Sequence, residues 1–270
     1  MIVGRIRAAL GRWLAAYISR PTGRYRRFST HAPAVLRQYL APGDVLLVEG
    51  DLRVSSAIKY LTQSTWSHAA LYVGDALASA PGDPDPPSLI EADLEAGVIA
   101  VPLSKYADFN TRICRPVGLT PDEREQVVRF MLGNLGKSYD LKHVFDLARY
   151  LLATPPVPSR YRRRMLALGS GDPTRAICST LIAQAFQGIR YPVLPSTERI
   201  KAGGTGYDPQ EVLRIRHHSL FVPRDFDLSP YFRVVKPTIE AGFNHRELVW
   251  AEQDLPSDGA IGESTPVAGS

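Results

Sequence analysis

The chain has 270 residues, 44% hydrophobic and 22% charged, which is enough to bury a core in one large domain or two small ones. Collagen, coiled coil and wholesale disorder are excluded by that composition. Only two cysteines are present, Cys114 and Cys178, so a small disulfide-built scaffold is excluded too. The net charge of +5 is unevenly placed. The first 43 residues hold eight arginines and no acid, while the rest holds 24 basic and 27 acidic residues. The basic charge belongs to an N-terminal arm, a pattern that argues against a nucleic-acid coat. No apolar run approaches the ~18 residues of a membrane span.

In the arm, Ile2, Val3, Ile6, Leu10, Trp13, Leu14 and Tyr17 recur at helical spacing, with Arg5 and Arg12 opposite. The pattern predicts an amphipathic helix over residues 1–20, closed by Arg20-Pro21. Two readings stand. The helix lies on an anionic membrane surface with Trp13 and Tyr17 at the interface, or it packs on the protein's own core. Arg5, Arg7 and Arg12 interrupt any signal-peptide core, so the expectation is a cytoplasmic protein, with the inner face of the membrane as a possible peripheral site.

Pro42-Gly43-Asp44 reads as a turn and Val45–Val48 as a buried strand. Residues 53–63 read as a short helix. Ser67 to Val73 alternates as a half-buried strand, with His68, Ala70 and Tyr72 on one face. After a proline-rich loop at 81–88, Leu89–Ala92 and Gly97–Leu103 read as strands. Thr120, Pro121 and Glu123 form a capping box that opens a helix with the stripe Val127, Val128, Met131, Leu132 and Leu135, stopping at Gly136. A second helix covers Leu141–Leu152, and a proline- and arginine-rich insert fills 150–172. A third helix starts around Cys178 and ends at Gly188. Residues 212–235 read as irregular strand and turn, and 251–270 as a disordered tail with four acids and no base.

Cys178 in the first turn of a helix meets unpaired amides and the positive end of the dipole, which favours thiolate. A thiolate nucleophile wants a base, and the base wants an orienting acceptor. His68 begins a strand, and Glu91 stands in an apolar strand where a lone carboxylate is costly unless paired. One nitrogen of His68 could meet Cys178 and the other Glu91. Taken singly, each fits a bland role: a core cysteine, a satisfied histidine, an edge carboxylate. Cys114, in an apparent strand, reads as inert. There is no P-loop, no His-Glu-x-x-His and no paired cysteines, so no cofactor and no metal site are expected.

Together the fragments are more telling. They are Pro42-Gly43-Asp44-Val-Leu-Leu, Trp66-Ser67-His68-Ala-Ala-Leu-Tyr72-Val-Gly74, Leu89-Ile-Glu91-Ala92, Gly136-Lys-Ser-Tyr139-Asp140 and Ile177-Cys178-Ser179-Thr180. In this order they resemble the circularly permuted papain-like cysteine hydrolases of the NlpC superfamily, YiiX-like branch, with lecithin retinol acyltransferase a distant relative. The resemblance covers residues 41–186, with a weaker echo in Pro223–Pro230. It implies an α+β fold: an antiparallel sheet or partial barrel against helices, the cysteine at a helix N-terminus. It implies Cys178 as nucleophile, His68 as base and Glu91 as orienting residue, with Tyr139 and Ser179 at the substrate or oxyanion. The domains expected are an arm at 1–40, the hydrolase at 41–236 and a tail at 237–270. The reaction implied is cleavage of an amide or ester through a thioester, on a substrate that the arm suggests is lipid-linked or acylated. Two alternatives stay open: a peptidase on cell-wall-type peptides, and a catalytically idle membrane adaptor on the same fold. No nucleic-acid partner is expected.

Overall fold

A computed structural model describes residues 27–78, 80–93, 95–137, 177–200, 210–214 and 221–248, with Tyr17, Arg20, Pro21 and His218. The arm up to residue 16, the expected helix at 141–152, the insert around it, Tyr139 and the tail at 251–270 lie outside the described residues. The chain divides into two compact units, Met1–Pro237 and Thr238–Ser270. In the second, Asn244 caps a short 3₁₀ turn, His245–Glu247, by accepting from the Arg246 amide at 3.1 Å.

The first unit is built on an antiparallel sheet. Its strands are β1 (Val45–Val48), β2 (His68–Tyr72), β3 (Pro87–Asp93), β4 (Gly97–Pro102), β5 (Thr111–Pro116) and, after a separate β6–β7 hairpin (Ser196–Ile200, Gln210–Arg214), β8 (Phe232–Val235). The spatial order is β4-β3-β2-β1-β5-β8. The helices are α1 (Pro33–Tyr39), α2 (Arg53–Thr62), α3 (Pro121–Leu132), α4 (Ile177–Gly188) and α5 (Pro223–Leu228).

The sheet is covered on both faces. On one, Val45, Leu47, Ala69, Leu71 and Ile90 pack with Val127, Val128 and Met131 of α3 and Leu181, Ile182, Ala185 and Phe186 of α4. On the other, Leu46, Val48, Ala70, Tyr72 and Leu89 pack with Leu36 of α1, Leu40, and Leu103 and Tyr106 of a 3₁₀ turn. Burial on two faces explains the unbroken apolar Val45–Val48. It also corrects the half-buried reading of β2: Ala69 to Tyr72 are all buried, because β2 lies between β1 and β3 with cover on each side.

Two further readings are corrected. α3 keeps its capping box but ends at Leu132, with Gly133 as C-cap, and Gly136 serves a later turn at φ 77°. Residues 223–228 form a helix where irregular structure was expected. Pro223 opens it, and the Asp225 carboxylate accepts from the Val222 amide at 3.0 Å. Six residues are too short for a helical period to show in sequence.

At its described residues the arm lies on the body. The Arg53 guanidinium stacks 4.2 Å over the Tyr17 ring, and the Arg53 amide donates to the Arg20 carbonyl at 3.0 Å. No described helix is long and apolar enough to cross a membrane.

Candidate active site

β2 begins where α2 has just been stopped. Gln63 takes a left-handed conformation at φ 52° as the helix C-cap, and the Trp66 amide donates to the Ser64 hydroxyl at 3.1 Å. Ser67 then locks the strand entry. Its amide donates to the Val48 carbonyl at 3.1 Å, and its hydroxyl accepts from the Gly50 amide at 2.9 Å. The indole of Trp66 donates to Asp227 of α5 at 3.0 Å. Arg112 of β5 grips the same carboxylate at 2.7 and 2.9 Å, and its guanidinium sits 4.9 Å over the Trp66 ring. His68 therefore follows a pair of residues, Trp66 and Ser67, each tied to other parts of the fold.

Glu91 reaches the same place through register. Ala70 pairs with Glu91 across β2 and β3, so Glu91 shares a face with His68, two residues before Ala70. His68 Nε2 donates to Glu91 Oε2 at 3.1 Å. The carboxylate is 1% exposed and the histidine side chain 23% exposed. α4 packs against β2 and β3 and brings Cys178 to the first residue of β2. The Cys178 thiol is hydrogen-bonded to the Ser179 hydroxyl at 3.9 Å, and the His68 ring and the Ala69 amide lie near enough to act on its charge. With Nε2 engaged by Glu91, Nδ1 is the ring nitrogen available to sulfur.

The electrostatics follow from this arrangement. Burial works against a charged Cys178, but the His68 imidazolium, its hydrogen bond and those from Ala69 and Ser179 prevail, and the thiol titrates below its ordinary range. Burial likewise opposes a charged His68, yet Cys178 and Glu91 push it up from 6.5 to about 10. Burial would raise Glu91; His68 and Lys105 instead lower it from 4.5 to about 2. The arrangement favours a thiolate beside an imidazolium that is itself paired with a carboxylate. Cys114 is the contrast: it is fully buried in β5, and burial pushes its thiol far up.

Of the residues expected at the site, the structure brings Cys178, His68 and Glu91 together. Ser179 is 0% exposed, with its hydroxyl 3.9 Å from the sulfur. Tyr139 lies outside the described residues. Three groups escaped the sequence reading. One is the Ala69 amide. The others are Lys105, which donates to Glu91 Oε1, and Tyr106, whose hydroxyl donates to Oε2. The expense of a buried carboxylate signalled that Glu91 needed partners, but not which ones. Among the described residues no group of three His, Cys, Asp or Glu side chains could hold a metal ion.

Residues 39–150 match the model of a family described as permuted papain-like amidases, YaeF/YiiX, C92 family. The matched stretch holds His68, Glu91, Lys105, Tyr106 and Tyr139 and stops before Cys178. Among solved structures, the metalloprotein yiiX of Escherichia coli O157:H7 (DUF1105) is 18% identical. That match covers 72% of this chain and 96% of that one, with a TM-score of 0.42. No curated protein matches the chain.

Proposed function

We propose, from the match of residues 39–150 to the permuted papain-like amidases of the C92 family, a hydrolase in which Cys178 is the nucleophile, His68 the general base and acid, and Glu91 the orienting carboxylate. What supports this reading is the His68–Glu91 hydrogen bond at 3.1 Å together with the His68 ring acting on the Cys178 thiol, where α4 packs on β2 and β3.

In the proposed reaction the thiolate attacks an amide or ester carbonyl carbon, and the S–C bond forms as the carbonyl oxygen becomes an oxyanion. Backbone amides near Cys178 hold that oxyanion, with Tyr139 as the side chain proposed beside it. His68 protonates the leaving amine or alcohol, and the C–N or C–O bond breaks to leave a thioester. His68 then takes a proton from water as the water oxygen bonds to the carbonyl carbon, and the C–S bond breaks to free the acid and return the thiolate beside the His68 imidazolium. Glu91 keeps Nε2 protonated throughout, so Nδ1 is the nitrogen that exchanges protons with sulfur and leaving group. The substrate proposed is lipid-linked or acylated, supported by the amphipathic arginine-bearing arm.

The test is mass-mapped labelling with a chloroacetamide at neutral pH. Cys178 is expected to label far faster than Cys114, and His68→Ala to slow it by at least tenfold. Equal labelling of the two cysteines, or His68-independent labelling, sinks the proposal.

A further inference from the structure

Glu91 is gripped more firmly than an orienting residue requires. Oε1 accepts from the Lys105 ammonium, and Oε2 accepts from both the Tyr106 hydroxyl and His68 Nε2. Lys105 and Tyr106 are neighbours on one 3₁₀ turn, Leu103–Tyr106, directly after β4, the strand that pairs with β3. The turn is pinned from below by Leu103 and Tyr106, 0% and 5% exposed in the core. The Tyr106 ring also lies against His68, 6.1 Å between centroids and tilted by 43°. Two donors on a rigid turn thus fix both oxygens of a carboxylate that is 1% exposed.

We propose that Lys105 is a positioning residue of this hydrolase: with Tyr106 it holds Glu91 ionised and in one orientation, and so sets the pH range over which Cys178 is a thiolate. The inference rests on the reading of Cys178, His68 and Glu91 as the reacting set. Without Lys105, Oε1 keeps no partner among the described residues, and the site carries one more uncompensated negative charge. The charged and titratable groups that face one another here are His68 from β2, Glu91 and Asp93 from β3, Lys105 and Tyr106 from the turn, and Cys178 from α4. Only Lys105 and His68 are cationic. Loss of the ammonium therefore disfavours the thiolate and moves its formation to higher pH.

The experiment uses the full chain and iodoacetamide as probe. Thiolate displaces iodide, an S–C bond forms, and the adduct is mapped by mass to Cys178, with buried Cys114 as reference. The rate is measured from pH 4 to 9 for wild type, Lys105→Met, Lys105→Arg and His68→Ala. For Lys105→Met the acidic limb is expected to shift upward, with labelling on that limb roughly threefold to twentyfold slower, the range for one partly solvated charge acting on the thiol from beyond Glu91. Lys105→Arg restores the wild-type limb. The lysine side chain is 38% exposed, so neither variant opens the core, and the arginine gives a second measure of the same point. A Lys105→Met profile that superimposes on wild type, or an arginine variant as impaired as methionine, overturns the proposal. If His68→Ala slows labelling while Lys105→Met does not, only this inference fails. If His68→Ala also changes nothing, the reacting set itself is wrong.

Discussion

Glu91→Gln removes the charge and turns one of two acceptor oxygens into an amide donor, while leaving the side chain's size unchanged. In the folded protein burial would raise this carboxyl, but His68 and Lys105 hold it down, from 4.5 to about 2. A carboxyl titrating lower when folded binds fewer protons folded than unfolded. Its stabilisation is therefore fully present above the unfolded value and lost as pH falls from 4.5 toward 2. The interval between those values corresponds to about 3 kcal/mol, of which about 2 kcal/mol is gone by pH 3. The side chain is 1% exposed, so solvent screening takes little from this figure. His68, raised from 6.5 to about 10, reports the same ion pair from the other side. Its share is present below 6.5 and fades as pH rises through 10, so the two are not summed.

The assay is guanidinium unfolding followed by far-ultraviolet circular dichroism at pH 6, 5, 4 and 3. Wild type should lose about 2 kcal/mol more between pH 5 and 3 than Glu91→Gln, because the amide has no proton to gain. Parallel stability curves for the two proteins across that range refute the reasoning. Glu91 would then be no ionised node, and neither His68 nor Lys105 would owe it anything.

Two other outcomes are expected. Asp227→Ala removes the acceptor shared by the Trp66 indole and the Arg112 guanidinium. It should cost about 1–3 kcal/mol in denaturant unfolding, since the indole loses its partner inside the fold, and an unchanged midpoint would show that α5 does not anchor the start of β2. For the arm, the full chain should sediment with anionic phosphatidylglycerol vesicles at low salt and release at high salt. The triple variant Arg5→Glu, Arg7→Glu, Arg12→Glu should bind at least a hundredfold more weakly, at about 1 kcal/mol per arginine. Equal binding by the two chains removes the membrane reading and leaves the packing already visible at Tyr17.

Local pattern carried much of this protein's architecture. Val45–Val48 declared a buried strand because four apolar residues in a row have no wet face. Thr120, Pro121 and Glu123 announced α3 because capping depends on side chains three residues apart. The order of short fragments around His68, Glu91 and Cys178 resembles one family, and residues 39–150 match that family's model. Other features lay beyond local pattern. β2 alternates like a half-buried strand, and only its place between β1 and β3 buries both faces. α5 was hidden because six residues hold less than two helical turns of signal.

The active site divides the same way. Sequence offered a thiol, an imidazole and a carboxylate, each with an innocent reading. Their meeting depends on the register that sets Glu91 opposite Ala70, and on α4 crossing that end of the sheet. The grip of Lys105 and Tyr106 on Glu91 depends on a 3₁₀ turn folding back over β3, across 14 and 15 residues of chain. Contacts of that span follow from which strands pair and how far they slip, and pairing energy is spread over the whole sheet. The types of residue needed for catalysis are written locally, whereas their distances are a property of the assembled core.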